Sequence, residues 1–168
     1  VFVVIVQYLV GILFIFSGLV KMNDPVGFSF KLEEYFSEPV LNLPWLEPIA
    51  LPVAILLVVV EVLLGAALLL GFWKRTSLVL LTGMIVFFTF LTFYSAYFNV
   101  VTDCGCFGDA IPLTPWESFS KDVVLTLLIA FLWWGERDIY AAYPKPVKLG
   151  VMALAPIACA VFTWHVMH

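Results

Sequence analysis

Apolar residues in this chain come in five long runs, covering about Val1 to Met22, Pro48 to Phe72, Leu78 to Phe98, Phe119 to Gly135 and Val147 to Met167. Short polar or Pro/Gly-containing breakers separate them: "NDP", "FWKR", "CGCFGDAIPLTP" and "YPKP". A helix needs roughly 20 apolar residues to cross the bilayer core. Lipid offers the backbone no hydrogen-bond partner, so each run has to satisfy its own backbone as a helix. The alternating in–out period of a membrane barrel is absent, and no internal repeat interrupts the pattern. The pattern therefore predicts an all-α fold, a polytopic membrane bundle of five transmembrane helices. The first run is too long for a signal peptide and lacks a small-residue cleavage site, so it reads as a retained span.

Composition narrows this further. The chain is 64% hydrophobic and only 12% charged, half of what a soluble domain carries to cover itself in water, about a quarter. No basic tract or aromatic–basic interleaving is present, which excludes a nucleic-acid partner and leaves membrane lipid as the principal surroundings. The net charge of −4 matters less than where the cations lie. Lys74 and Arg75 follow the second run, and Arg137, Lys145 and Lys148 follow the fourth; the opposite loops hold Lys21, Lys31 and Lys121. By the positive-inside rule the first group faces the cytoplasm. The expected location is the cell inner membrane, with the N-terminus cytoplasmic and the loop between the third and fourth runs periplasmic.

That loop carries "DCGCFGD", residues 103 to 109. On the outer face disulfides form and persist. A one-residue spacer closes a disulfide only as a tight, strained ring, and Gly105 tolerates unusual backbone angles best. Strain makes such a bond readily reducible, which suits exchange, whereas a ring this small stabilises little. Cys104 and Cys106 are thus candidates for a redox pair. Two other readings stay open: a metal clip completed by Asp103, Asp109, His165 or His168, and two unpaired structural cysteines. Asp103 and Asp109 disfavour a thiolate, and no cation lies between Asn99 and Ser120 to offset them. Cys159, inside the last run, reads as a small hydrophobe.

Two ionisable residues are conspicuous in apolar runs. Glu61 sits near the middle of "LLVVVEVLLGAALLLG", where a charge is costly and faces the bundle interior, a partner or a cavity. Helical spacing places it on one face with Ala54, Gly65 and Leu68. It reads either as a proton carrier or ligand anchor, or as a glutamic acid hydrogen-bonded to a neighbouring helix. Lys21 ends the first run in "GILFIFSGLVKMNDPVGF". It is expected to snorkel to the interface, meeting Asp24, Asp122 or the cysteine loop. Asp24-Pro25 then opens a loop rich in acidic and aromatic residues. Gly11 and Gly18, seven apart, form a small-residue packing face. Trp45, Trp73, Trp116, Trp133 and Trp134 lie near run ends and read as an interfacial aromatic belt.

Taken together, "GILFIFSGLVKMNDPVGF", "VVVEVLLGAALLLG" and "DCGCFGD" resemble the DoxX-like superfamily, and within it the branch of methylamine-utilisation protein MauE. The resemblance covers roughly residues 8 to 135. It implies a four-helix DoxX-like core over residues 1–135, with residues 136–168 adding a turn and a fifth transmembrane helix outside that core. It also implies a role in making or maintaining disulfides in an exported partner. The architecture is similar to vitamin K epoxide reductase and DsbB-type proteins, which pass electrons from thiols to a quinone. Those proteins use a two-residue spacer and a second cysteine pair, neither of which is present here.

The sequence thus points to a membrane thiol–disulfide oxidoreductase or maturation protein. Cys104 and Cys106 would exchange disulfides, Glu61 would carry the proton, Lys21 would stabilise a thiolate, and quinone is the cofactor implied by analogy. The rival is a non-enzymatic accessory subunit of a larger membrane complex, which the extra span and the missing second cysteine pair favour. A ligand-binding or transport role centred on Glu61 is a third reading.

Overall fold

The computed structural model describes residues 1–37, 41–98, 114–141 and 143–167. Among them are six α-helices and no strand: α1 (Phe2–Asn23), α2 (Pro25–Phe36), α3 (Ala50–Leu70), α4 (Lys74–Phe98), α5 (Pro115–Trp134) and α6 (Lys145–Met167). All five predicted runs are helical. Four segments are long and apolar enough to cross a membrane: Phe2–Asn23, Pro44–Leu70, Lys74–Phe98 and Lys145–Val166. Helix α5 falls outside that set because Glu117, Lys121 and Asp122 occupy its first two turns. The protein is an all-α, multi-pass membrane bundle.

The first loop is where the structure departs from expectation, because most of it is helix. Asp24 ends α1 and also caps α2, its side chain accepting from Gly27 N–H at 2.8 Å. Pro25 at the first helical position has no N–H to lose there. Phe28, Leu32, Tyr35 and Phe36 then share a face that packs on α3. Their spacing of four, three and one is a helical stripe, legible beneath the acidic residues between them.

Helices α1, α3, α4 and α5 close into a ring: α1 packs on α3 and α5, and α4 packs on the same two. Helix α6 lies outside, against α3 and α1. Lipid is as apolar as leucine, so hydrophobicity cannot choose which face turns inward. Polar and small residues make that choice. On α1 the buried stripe is Gln7, Val10, Gly11, Phe14, Ser17, Gly18, Lys21 and Met22, while Phe2, Ile5, Ile12, Phe16 and Leu19 face out. On α5 the stripe is Ser118, Asp122, Leu125, Ile129 and Leu132.

Glycines let α1 and α3 approach closely. A Cβ on Gly65 would meet the Gly11 carbonyl oxygen at 2.8 Å, and one on Gly11 would meet the Leu69 side chain at 2.6 Å. A Cβ on Gly18 would likewise strike Val62, also at 2.6 Å. Both glycines expected to form a packing face therefore do so. Gly71, left-handed at φ 59°, ends α3; its N–H and that of Phe72 return to the carbonyls of Leu68 and Ala67. The chain then turns directly into α4.

Candidate functional site

Glu61 is buried on α3, sharing its inward face with Ala54, Gly65 and Leu68 as the spacing requires. Its partner lies on α1. Lys21 Nζ is 2.6 Å from Glu61 Oε2 and 3.1 Å from Ser17 Oγ, and the lysine is only 2% exposed. Lys21 therefore does not snorkel outward. Helical side chains tilt toward their own N-terminus. Helices α1 and α3 run antiparallel, so Lys21 leans back into the bundle while Glu61 leans the opposite way, and the two meet. Turning inward exchanges water for a charged partner, a hydroxyl and two aromatic faces: the ammonium lies 4.8 Å from the Phe88 ring centroid and 5.6 Å from that of Phe28. Four helices, α1 to α4, thus converge on one cation.

A second polar group lies beside the first. Asp122 on α5 is buried, accepts from Thr92 Oγ1 of α4 at 3.1 Å, and pairs with Lys121 at 3.2 Å. Lys21 is within electrostatic range of it, but the carboxylate that Lys21 binds is Glu61. Ser95 and Ser118 are buried on the same stripes of α4 and α5. Thr92, Ser95, Ser118 and Asp122 lie within two turns of Phe98 or Pro115, the ends of α4 and α5 that flank residues 99–113 in the chain. Cys104 and Cys106 belong to that segment and lie outside the described residues.

At the opposite end of the ring, Gln7 is fully buried, a residue the sequence reading passed over. Its Nε2 donates to the carbonyls of Leu68 (2.7 Å) and Tyr140 (2.9 Å), and its Oε1 accepts from Tyr140 N–H at 2.8 Å. It ties α1 to the end of α3 and to the stretch after α5. An isolated amide in "VFVVIVQYLVG" was the available signal, of the same kind that marked Glu61. Lys74 donates to the Ile139 carbonyl and Lys148 approaches that of Gly71 at 3.5 Å, so two cations used to orient the chain also close its turns. Cys159 is buried among apolar neighbours on α6, as a small hydrophobe would be. Trp45, Trp73, Trp116 and Trp134 are exposed near helix ends, whereas Trp133 turns in and donates to Thr82 Oγ1 at 2.8 Å.

The family model of methylamine utilisation protein MauE matches residues 1–135, which hold the whole ring and both buried polar groups. The chain belongs to the MauE family. Helix α6 lies beyond the matched region of this MauE-family chain. The chain is also similar to Protein TlpB of Flavobacterium psychrophilum, 27% identical over 139 residues. That match takes in 76% of this chain and 35% of the relative, so this chain corresponds to about a third of it. No solved structure matches.

Proposed function

We propose that this MauE-family protein is a membrane thiol–disulfide redox and maturation factor for an exported partner, acting through Cys104 and Cys106. The observation that carries the reading is a Cys-Gly-Cys segment joining two helices whose adjoining turns bury a cluster of ionisable and hydroxyl groups. Membership in the MauE family over a region that includes both cysteines supports it.

In this mechanism a substrate thiolate attacks one sulfur of the Cys104–Cys106 disulfide, forming a mixed disulfide and releasing the other cysteine as a thiolate. A second substrate thiolate attacks the mixed disulfide, leaving an oxidised substrate and a reduced Cys104/Cys106 pair. Two electrons then pass to an acceptor, a quinone or an external dithiol–disulfide partner, and two protons leave the pair. Glu61, held by Lys21 inside the ring, is the proposed proton relay. Lys21 acts on charge near the cysteines through the field it shares with Glu61 and Asp122. The orientation proposed is the one the lysines and arginines imply, in the inner membrane with the cysteine segment periplasmic.

The test is the thiol state of exported proteins in cells carrying Cys104→Ser or Cys106→Ser. Reduced thiols should accumulate in the partner with either variant; an unchanged thiol state in both would falsify the redox reading.

A second reading, an accessory subunit of a larger complex, is favoured by α6. Only 11% of its most apolar 18 residues are buried, against 33–44% for the other three candidate spans. A complex that co-purifies intact with the double cysteine variant would support it.

A further inference from the structure

Helices α3, α4 and α6 leave a groove between them of about 440 Å³, within the range of ligand clefts. Its walls are apolar, with Val60, Leu64, Leu80, Leu149 and Met152 among them. Its mouth is not. Gly71, Trp73, Lys145 and Lys148 surround an adjoining recess at the end of the bundle where α3 stops and α4 and α6 begin. Two helix N-termini converge there, so the dipole contribution is positive. Lys74 and Arg75 open α4 at the same level.

Among the described residues Lys145 and Lys148 form no ion pair. Lys148 is 8% exposed, yet its bond is a 3.5 Å approach to the Gly71 carbonyl. A cation taken this far out of water with one long neutral hydrogen bond is under-compensated. Trp73, 71% exposed beside it, has the position of an interfacial anchor. An apolar cleft at acyl-chain depth, opening onto these lysines at headgroup depth, complements an amphiphile with an anionic head.

We propose that the α3/α4/α6 groove is a binding site for one anionic phospholipid, its phosphate held by Lys145 and Lys148 and an acyl chain lying against Leu149 and Met152. Basic recesses between transmembrane helices recognise anionic headgroups in this way. The inference is independent of the cysteine chemistry, and nothing in it requires Cys104 or Cys106.

The experiment uses the full chain, purified in an uncharged detergent. Phosphatidylglycerol and phosphatidylcholine with identical acyl chains are titrated, with native mass spectrometry reading stoichiometry and thermal melting reading stabilisation. Phosphatidylglycerol should bind one per chain and raise the melting temperature, and phosphatidylcholine should do neither at the same concentration. Lys145→Gln with Lys148→Gln should weaken phosphatidylglycerol binding about 30-fold, a factor of about five per lysine, while the double arginine variant keeps it. Ala153→Phe, which fills the groove without touching a charge, should abolish binding outright; it decides the matter if the double glutamine variant does not fold. Equal stabilisation by the two lipids, or wild-type binding by both groove variants, would overturn the site. So would a soluble quinone that binds one per chain where phosphatidylglycerol does not.

Discussion

Lys21 Nζ and Glu61 Oε2 stand 2.6 Å apart across the α1–α3 interface, both almost completely buried. Removing one member of such a pair leaves the other charge in a low-dielectric interior, which costs about 3–5 kcal/mol, whereas replacing both with apolar residues is often neutral. Lys21→Met and Glu61→Leu should each lower the melting temperature sharply, and the double variant should recover most of the loss. Thermal denaturation of the four proteins in one detergent measures the coupling; additive losses would show that the pair contributes little.

The same carboxylate offers a functional prediction. As a proton relay, Glu61 is tested by Glu61→Gln, which keeps an acceptor for Lys21 but removes its countercharge; it should lower the melting temperature less than Glu61→Leu and slow oxidation of the exported partner, per folded protein, at least about tenfold. The rate at which partner thiols disappear after a reductant pulse reads this directly.

Gly65 and Gly83 form a matched pair of substitutions. A methyl group at Gly65 would meet backbone at 2.8–3.0 Å on α1, which cannot swing aside, whereas at Gly83 nothing lies within 4 Å. Gly65→Ala is therefore expected to destabilise by about 1–3 kcal/mol through forced separation of the helices. Gly83→Ala should stabilise α4 by up to about 1 kcal/mol through helix propensity alone. Opposite shifts of the denaturation midpoint are the expected result.

Gln7 makes three hydrogen bonds to backbone groups on two other segments. Gln7→Leu preserves the side chain's bulk but strands the Tyr140 N–H and carbonyl, at about 1–3 kcal/mol for each that water cannot reach, while the Leu68 carbonyl keeps the Gly71 N–H. The loss should appear as faster proteolysis in the turn around Ile139, with the far end of the ring unchanged.

Cys159→Ala is the internal control for the redox chemistry. The thiol is buried in apolar packing on α6, outside the MauE-matched region. Its loss should leave partner oxidation at the wild-type rate and cost only a small cavity, on the order of 1 kcal/mol.

The apolar runs alone fixed the number and placement of the long helices, because an unsatisfied backbone is intolerable in lipid wherever the chain folds. Glu61 and the glycines were legible as inward-facing for the same reason: in lipid, polar and small residues mark the interior. Helix α2 was also visible in its 28–32–35–36 stripe, but the acidic residues and the Asp-Pro start disguised it as loop. The partnership of Lys21 was beyond the sequence. Its place at a helix end argued for the interface, and only the antiparallel setting of α1 on α3, with side chains tilted toward each other, turned it inward to Glu61. The groove below Lys145 and Lys148 likewise exists only because α6 packs on α3 and α1 and leaves a gap beside α4. Composition and periodicity specify what each helix can tolerate around it; which side chains meet depends on the crossing of helices far apart in the chain, and that was decided by the fold.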